Sequence, residues 1–535
     1  MITSWPASAV RAAEEPLLAA GVPLMERASF ALATHVVRDV AARRGPVRGA
    51  RVVLLVGAGN NGGDALHAGA VLSRRGLEVT AVLVAERFHA EGRAALEGAG
   101  GRVVELFSAP GLLGAVLDDA ARADVVLDGL VGIGAHGPLR GLAEQVVSGL
   151  SARDARRAGA DSPLTAPWVV AVDLPSGIGV DDGAVPGPVL AADRTVTFGA
   201  IKPGLLLPPA AAHAGEVSVV DLGLRPEGDP AVRRLAPADV ARAWPVPGPA
   251  DQKYSRGVVG VVAGTTTYPG AAVLATTAAV RAGAGMVRFR GSDGVGRPVL
   301  AARPEGVTAP GRVQAWVVGP GVPGGPEAAH EGEDSGLDDG QHERGRAALA
   351  AAAGNLAGTA GGPVPAVVDA GGLGLLDDVV PPWFVLTPHA GELTALLRSR
   401  GEDVRRADVE AEPLRWARRA HELTGATVLL KGGVTVVVGP DTTYAQADGP
   451  AWLATAGAGD VLAGVLGAML AGRADEVVER PALAAEVAAA AALVHGRAAH
   501  RANPGGPVAA LDVAGAVPAE IAALLVGRDP GTDRG

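Results

Sequence analysis

The sequence predicts an α/β protein of two domains, each a mainly parallel sheet with helices on both faces. Three observations carry that expectation. Residues 51–56 form a β-branched run that passes through a glycine-rich turn into a helix and then into a second strand at 78–84, one β-turn-α-β unit. Two more apolar runs, 123–127 and 168–172, each lead into an Asp (Asp128, Asp173) followed by a glycine-bearing turn. The same alternation restarts after a stretch rich in Pro and charge at 225–251. A chain of 535 residues is also too long for one ordinary domain.

Composition narrows the function. Apolar residues make up 48% of the chain, enough for large cores, and 77 Gly with 40 Pro favour many short connections. A formal charge of −10, no basic block and only 3% aromatics argue against a nucleic-acid partner. An anionic ligand must then be held by local N–H groups. The absence of cysteine excludes disulfides, thiolate metal sites and a Cys nucleophile, and fits a cytoplasmic location. Arg11, Glu14 and Glu15 interrupt any leader-like apolar run, and no uncharged stretch is long enough to span a bilayer, so no membrane partner is expected.

Taken in order, residues 7–40 read as two helices. The strand 51–56 ends in Gly57-Ala58-Gly59-Asn60-Asn61-Gly62-Gly63-Asp64, and a helix is expected from 65 to 75. Gly57, Gly59 and Gly62 satisfy G-x-G-x-x-G between strand and helix, although glycine is abundant here. Two amides and a carboxylate in that turn gather donors and acceptors at one point; a tight turn with an N-cap would use some of them too. The ends of parallel strands form the ligand crevice of an open α/β sheet. Asp64, Asp128 and Asp173 therefore mark one site. Asp173 is the acid–base candidate, and Lys202, before Pro-Gly, is either a second candidate or a surface turn residue.

The chain here resembles the NAD(P)H-hydrate epimerases over about 8–225. The matching pieces are Leu24-Met25-Glu26-Arg27-Ala28, Gly59 to Asp64, Asp128 to Gly134, Val172 to Gly177 and Thr195 to Gly204. The resemblance implies a Rossmann-like three-layer αβα domain over 1–228. It implies hydrate contacts at Asn60, Asn61, Gly62, Gly63, Asp64, Gly132, Ile133, Gly134, Ala135, His136, Gly137, Pro138 and Asp173, and a potassium ion held by Asn61, Asp128 and Ser176. Two positions depart from the family pattern, Ala65 after the NNGGD run and the Gly-Leu-Val-Gly-Ile-Gly turn after Asp128.

Residues 229–250 read as a linker with a short helix near 238–243. A second domain over 251–527 opens with a strand at 257–263 and a helix at 272–282. Residues 323–345, acidic, glycine-rich and nearly free of apolar side chains, read as a disordered insertion. Strands follow at 366–370, 384–386, 426–430 and up to 438, then the turn Leu453-Ala454-Thr455-Ala456-Gly457-Ala458-Gly459-Asp460, a helix at 461–471, and helices at 483–502 and 512–526. Small residues running into a helix start leave N–H groups unpaired where the helix dipole is positive, which is a place for phosphate. Asp460 at its mouth is either an N-cap, or a base or metal holder. His389, in a Thr-Pro turn after a strand, has a site-like location; His495 and His500 have no partner motif.

This half resembles the ribokinase-like superfamily and, within it, the ADP/ATP-dependent NAD(P)H-hydrate dehydratases, over about 235–527. The pieces are Lys253 to Gly257, Tyr268 to Ala271, Ala282 to Gly285, Gly319-Pro320-Gly321, Leu386 to Glu392 and Leu430 to Thr435, with Gln252 where the family often has His. The resemblance implies a ribokinase-like αβα domain. Hydrate contacts are implied at Ala271, Gly321, His389 and Asp460, and adenine-nucleotide contacts at Lys431, Gly432, Gly433, Val434, Thr435 and Gly459. Phosphorylating the hydrate's hydroxyl turns a poor leaving group into a good one, so a kinase-like fold can dehydrate. Asp460 would take the hydroxyl proton, and the Gly457–Gly459 N–H groups with Mg²⁺ would hold the phosphoryl group of ADP. An epimerase on the same chain would let both epimers be repaired, in an expected homo-oligomer. The alternative is a small-molecule kinase with a non-catalytic nucleotide-binding first domain.

Overall fold

A computed structural model describes residues 1–134, 136–158, 166–324, 338–355 and 362–526. The chain divides into two compact units, Thr3–Ala231 and Val232–Gly535 with Met1–Ile2. Among the described residues no single helix is long and apolar enough to cross a membrane.

The N-terminal unit is a seven-stranded, wholly parallel sheet. Its order is Arg102–Glu105, Glu78–Leu83, Arg51–Val56, Val125–Gly129, Trp168–Val172, Arg194–Phe198, Glu216–Val220. Alternation along Arg51–Val56 explains the layers. Val52, Leu54 and Val56 pack with helices Leu24–Arg44 and Asn60–Arg74, and Val53 and Leu55 with helices Leu113–Ala121 and Gly141–Ala158 on the other face. Strand order reverses between Arg51–Val56 and Val125–Gly129, which opens a crevice at their carboxyl ends. Gly57 and Asp128 lie there.

The helix after Gly59 starts at Asn60, five residues earlier than expected. Glycines thought to shape a turn instead let a helix pack closely. A Cβ on Gly62 would sit 2.4 Å from the Gly57 carbonyl oxygen, and one on Gly63 3.0 Å from the His89 ring. At Gly57 a Cβ would lie 1.8 Å from the Leu130 carbonyl oxygen. Gly57→Ala is therefore expected to destabilise this unit by about 1–3 kcal/mol, the range for overpacking. An unchanged thermal melt would show that the strand ends can separate freely.

The C-terminal unit carries parallel strands Met286–Phe289, Val258–Val262, Ala315–Val318, Ala366–Val368, Phe384–Leu386 and Thr427–Leu430, then antiparallel Thr435–Val438 and Thr443–Gln446. The helix Ala458–Ala471 is apolar on all sides and correspondingly buried. Small residues bring it close to Pro269–Arg281: a Cβ on Gly464 would sit 2.3 Å from the Ala275 carbonyl oxygen.

Two expectations need correction. The 229–250 segment, read as a linker, contributes the strand Val232–Arg234 beside Thr443–Gln446 and the helix Pro237–Ala243. Leu235, Val240 and Trp244 anchor it in the core; Pro and charge around them obscure the pattern. In 323–345, residues 325–337 lie outside the described residues, but the helix Gln341–Ala352 begins inside the segment. The buried Gln341 amide donates to the carbonyls of Ala263 (2.9 Å) and Gly264 (2.8 Å). Composition cannot show a polar side chain doing the work of a core residue.

Candidate functional sites

In the N-terminal unit, the strand ends bring Asn61, Asp128 and Ser176 together. Asp128 is fully buried. Its carboxylate accepts from the Ser176 N–H (2.7 Å) and hydroxyl (2.6 Å), and Asn61 Nδ2 donates to the Val131 carbonyl at 3.0 Å. Burial pushes the Asp128 carboxyl above its ordinary range, and hydrogen bonds from Ser176 and Leu130 act against that. The oxygens here are a carboxylate, an amide, a hydroxyl and a carbonyl, a donor set for a hard, weakly charged cation. Among the described residues, no group of three or more His, Asp or Glu is placed to hold a metal.

Asp173 occupies the next strand end with φ +66°, a left-handed backbone uncommon for a non-glycine residue. One oxygen accepts from Thr197 Oγ1 (3.0 Å), the Phe198 N–H (3.1 Å) and Lys202 Nζ (2.5 Å). Lys202 is only 1% exposed, so it is no surface turn residue. The chain closes around it because Nζ also donates to Thr197 Oγ1 (3.1 Å) and the Phe198 carbonyl (2.9 Å). Asp64 lies near: burial drives its carboxyl well above the ordinary range, and the charges of Asp173 and Glu14 add to this. Ser29 Oγ stands 3.5 Å from Asp64 Oδ1.

Glu14 was missed as a site residue. Burial raises its carboxyl, Lys202 lowers it, and Asp173 raises it again. Its helix, Ala7–Ala19, also sends Arg11 to the Ile133 carbonyl at 2.8 Å. In the 132–138 loop, Gly134, His136, Gly137 and Pro138 are exposed, whereas Gly132 packs on Asn61; Ala135 lies outside the described residues.

In the C-terminal unit the Gly-Ala-Gly-Asp turn is part of a helix. Ala458–Ala471 begins two residues before Asp460, and Gly457, φ +84°, is its N-cap. Gly457 is needed for that backbone, and Gly459 for proximity: a Cβ there would sit 3.2 Å from Lys431 Nζ and 3.8 Å from Asp369 Oδ2. Lys431 Nζ donates to Asp369 Oδ1 at 2.7 Å and lies 3.5 Å from Glu392 Oε2. Thr387 Oγ1 also donates to Asp369, at 2.8 Å. The Lys431 ammonium thus reaches the helix start, while Gly432 and Gly433 form the exposed turn.

His389 caps the helix Ala390–Ser399. Its Nδ1 accepts from the Gly391 and Glu392 N–H groups (3.0 and 3.2 Å), so its proton sits on Nε2, 3.4 Å from Glu392 Oε1. Gly321, φ +63°, abuts Ala271: a Cβ there would sit 2.4 Å from the Ala271 methyl. Burial raises the Asp460 carboxyl to about 7; Asp369 and Glu392 add to the rise and Lys431 opposes it. Burial also opposes the Lys431 charge, but Asp369 and Glu392 outweigh it and hold Lys431 above its ordinary range. Asp369 and Glu392, which had no assigned role, are thus central; an Asp at a strand end was the available signal for the first.

His495 is buried, and its pKa falls to about 4; burial lowers it, and a hydrogen bond to the Ala458 backbone opposes that. It supports the start of the helix that carries Asp460.

Residues 259–512 match the family described as NAD(P)H-hydrate dehydratase, and residues 22–204 the YjeF-related protein N-terminus. The chain is 44% identical over 479 residues to the bifunctional NAD(P)H-hydrate repair enzyme of Mycobacterium tuberculosis, covering 86% of this chain and 88% of that one. It belongs to the bifunctional NAD(P)H-hydrate repair enzymes. The Mycobacterium leprae member of this repair family is 43% identical, with 93% and 94% covered. A Clavibacter michiganensis NAD(P)H-hydrate epimerase is 46% identical over 236 residues, 43% of this chain and 95% of its own length. The family's two halves therefore correspond in order to the two sites above.

Proposed function

We propose that the two units share one repair: the N-terminal unit interconverts the R and S hydrates of NADH and NADPH, and the C-terminal unit dehydrates the S hydrate with ADP. The observation that carries the second step is Asp460. A carboxyl raised to about 7 at a helix start, amid Asp369, Glu392 and Lys431, suits a base that works near neutrality. Asp460 takes the proton of the hydrate hydroxyl. That oxygen bonds to the terminal phosphorus of ADP, and AMP leaves. The C–O bond then breaks, phosphate departs, a ring proton is lost and the dihydronicotinamide returns. First-turn N–H groups and Lys431 stabilise the transferring phosphoryl group.

Mg²⁺ suits this place because the two carboxylates of Asp369 and Glu392 exceed the charge of the one Lys431 ammonium between them. Asp369 and Glu392 are the residues that would face it, with phosphate oxygens completing its shell. When bound it supplies charge neutralisation. Potassium fits Asn61, Asp128, Ser176 and the Val131 carbonyl, where it would offset a buried carboxylate. Asp173, held by Lys202, moves the proton during inversion, with 60–64, 132–134 and 136–138 beside the hydrate. Ala271, Gly321 and His389 line the dehydratase's hydrate pocket, and 431–435 with Gly459 hold the nucleotide.

Recovery of near-ultraviolet nicotinamide absorbance from a mixed-epimer NADH hydrate, with Mg²⁺ and K⁺, tests this. Complete recovery, faster with ADP than with ATP, is expected. A halt once the S hydrate is consumed would remove the epimerase reading. No recovery by folded protein would favour a small-molecule kinase.

A further inference from the structure

A cavity of about 450 Å³ lies on the C-terminal sheet, on the face turned away from the helix Ala458–Ala471. The register fixes the side. Val317 turns toward that helix, where a Cβ on Gly467 would meet it at 2.3 Å. Alternate residues Gly260, Val262, Arg288 and Trp316 turn the other way. The edge strand Met286–Phe289 thus buries Val287 and Phe289 and presents Arg288, with Arg290 just beyond it. Gly260 makes room for an indole: a Cβ there would sit 2.4 Å from the Trp316 ring. Trp316 is the flat floor of the cavity, and Arg288, Arg290, Arg312 and Arg344 stand around it.

The guanidinium groups are positioned by backbone carbonyls. Arg288 donates to the carbonyls of Arg312 (3.2 Å) and Ala309 (3.0 Å), Arg290 to Thr308 (3.0 Å) and Arg344 to Asp339 (2.7 Å). Carbonyls fix direction but bring no net charge. Among the described residues, neither Arg288 nor Arg290 forms an ion pair, while the charge of Arg344 acts on the nearby Asp338 carboxylate and, after the hydrogen bonds from His342 and Gly340, helps to lower it. The Asp338 carboxylate accepts from the N–H groups of Gly340 (3.1 Å) and His342 (3.0 Å). Asp475 and Glu479 line an adjoining depression that shares Arg312, Val313, Gly362 and Val364 with this cavity, on the side away from Arg288, Arg290 and Arg344. In a chain of formal charge −10, three aimed guanidinium groups around an apolar floor, two of them (Arg288 and Arg290) without an ion pair among the described residues, are a local exception.

We propose that this cavity is a second ligand site, for an organic phosphate of nucleotide size. Its flat ring lies on Trp316, and its phosphate takes the free N–H groups of Arg288, Arg290 and Arg344, whose planar forks match phosphate oxygens. The volume falls in the usual range for small-molecule sites, about 300–1,000 Å³. None of these residues belongs to the Asp460 site, so occupancy here is separable from turnover.

Calorimetric titration of the full-length protein with ADP tests the proposal, with inorganic phosphate as the second probe. In the Arg290→Ala/Arg344→Ala variant, one class of ADP sites should weaken roughly tenfold for each guanidinium removed, while dehydration proceeds as before. Inorganic phosphate should bind that class at least tenfold more weakly than ADP. Should the double variant fail to fold, fluorescence decides: ADP should quench the wild type more than Trp316→Phe. An ADP titration unchanged by the double variant, equal binding of inorganic phosphate, or equal quenching in Trp316→Phe would overturn the proposal.

Discussion

Asp460→Asn should lower the dehydration rate about 10²–10⁴-fold, the contribution of a positioned base, while ADP still binds and the C-terminal unit becomes more stable at alkaline pH. The two effects share a cause. Burial and the neighbouring Asp369 and Glu392 hold the carboxyl at about 7, against an ordinary 3.8. A base must be deprotonated to act, so kcat/KM for the S hydrate should rise with pH through about 7 and level off above it. Asp369→Asn removes one repelling charge and should move that rise to lower pH. Stability runs the other way. Between about pH 4 and pH 7 the unfolded chain ionises Asp460 while the folded chain keeps it protonated. Folding therefore loses up to about 1.4 kcal/mol per pH unit over that window. An amide carries no such cost. The melting temperature of Asp460→Asn should exceed that of the wild type at pH 8, with the gap closing toward pH 4. A variant that keeps its kcat, or a gap independent of pH, would remove Asp460 as the base.

The strand ends were legible in the sequence because their signal is local. An apolar run that stops at Asp128, Asp173 or Asp369 announces a crevice wherever the sheet is parallel. Helix starts were less legible. Gly62, Gly63 and Gly459 looked like turn residues, but the helix needs them small because Gly57, His89 and Lys431 approach from elsewhere. Partners far apart in sequence were not legible at all. Lys202 before Pro-Gly resembles a surface residue until the fold carries it to Asp173, and Glu14 reads in the sequence only as a charge that interrupts an apolar run. Arg288 and Arg290 drew no reading in the sequence; only the segment 308–312, which aims them, gives them a target.

Lys202→Met should destabilise the N-terminal unit by about 3–5 kcal/mol, because it leaves the Asp173 carboxylate buried without its cation. Epimerisation should fall with it, about 10²–10⁴-fold, and a mixed hydrate should then stall once the S form is consumed. Lost activity alone would not separate chemistry from folding, but removing both charges does. Asp173→Asn suits the backbone, since Asn tolerates the left-handed conformation found there, φ +66°. In the Asp173→Asn/Lys202→Met variant the buried charge is gone, so most of the stability lost by Lys202→Met alone should return, as a double-mutant cycle would show. Epimerisation should not return, because the group that moves the proton is absent. Thermal melts of the four proteins, beside progress curves on the mixed hydrate, give both readouts. A double variant that epimerises at the wild-type rate would sink the acid–base role of Asp173. A single Lys202→Met variant with an unchanged melt would show that water reaches Asp173 when the lysine is gone.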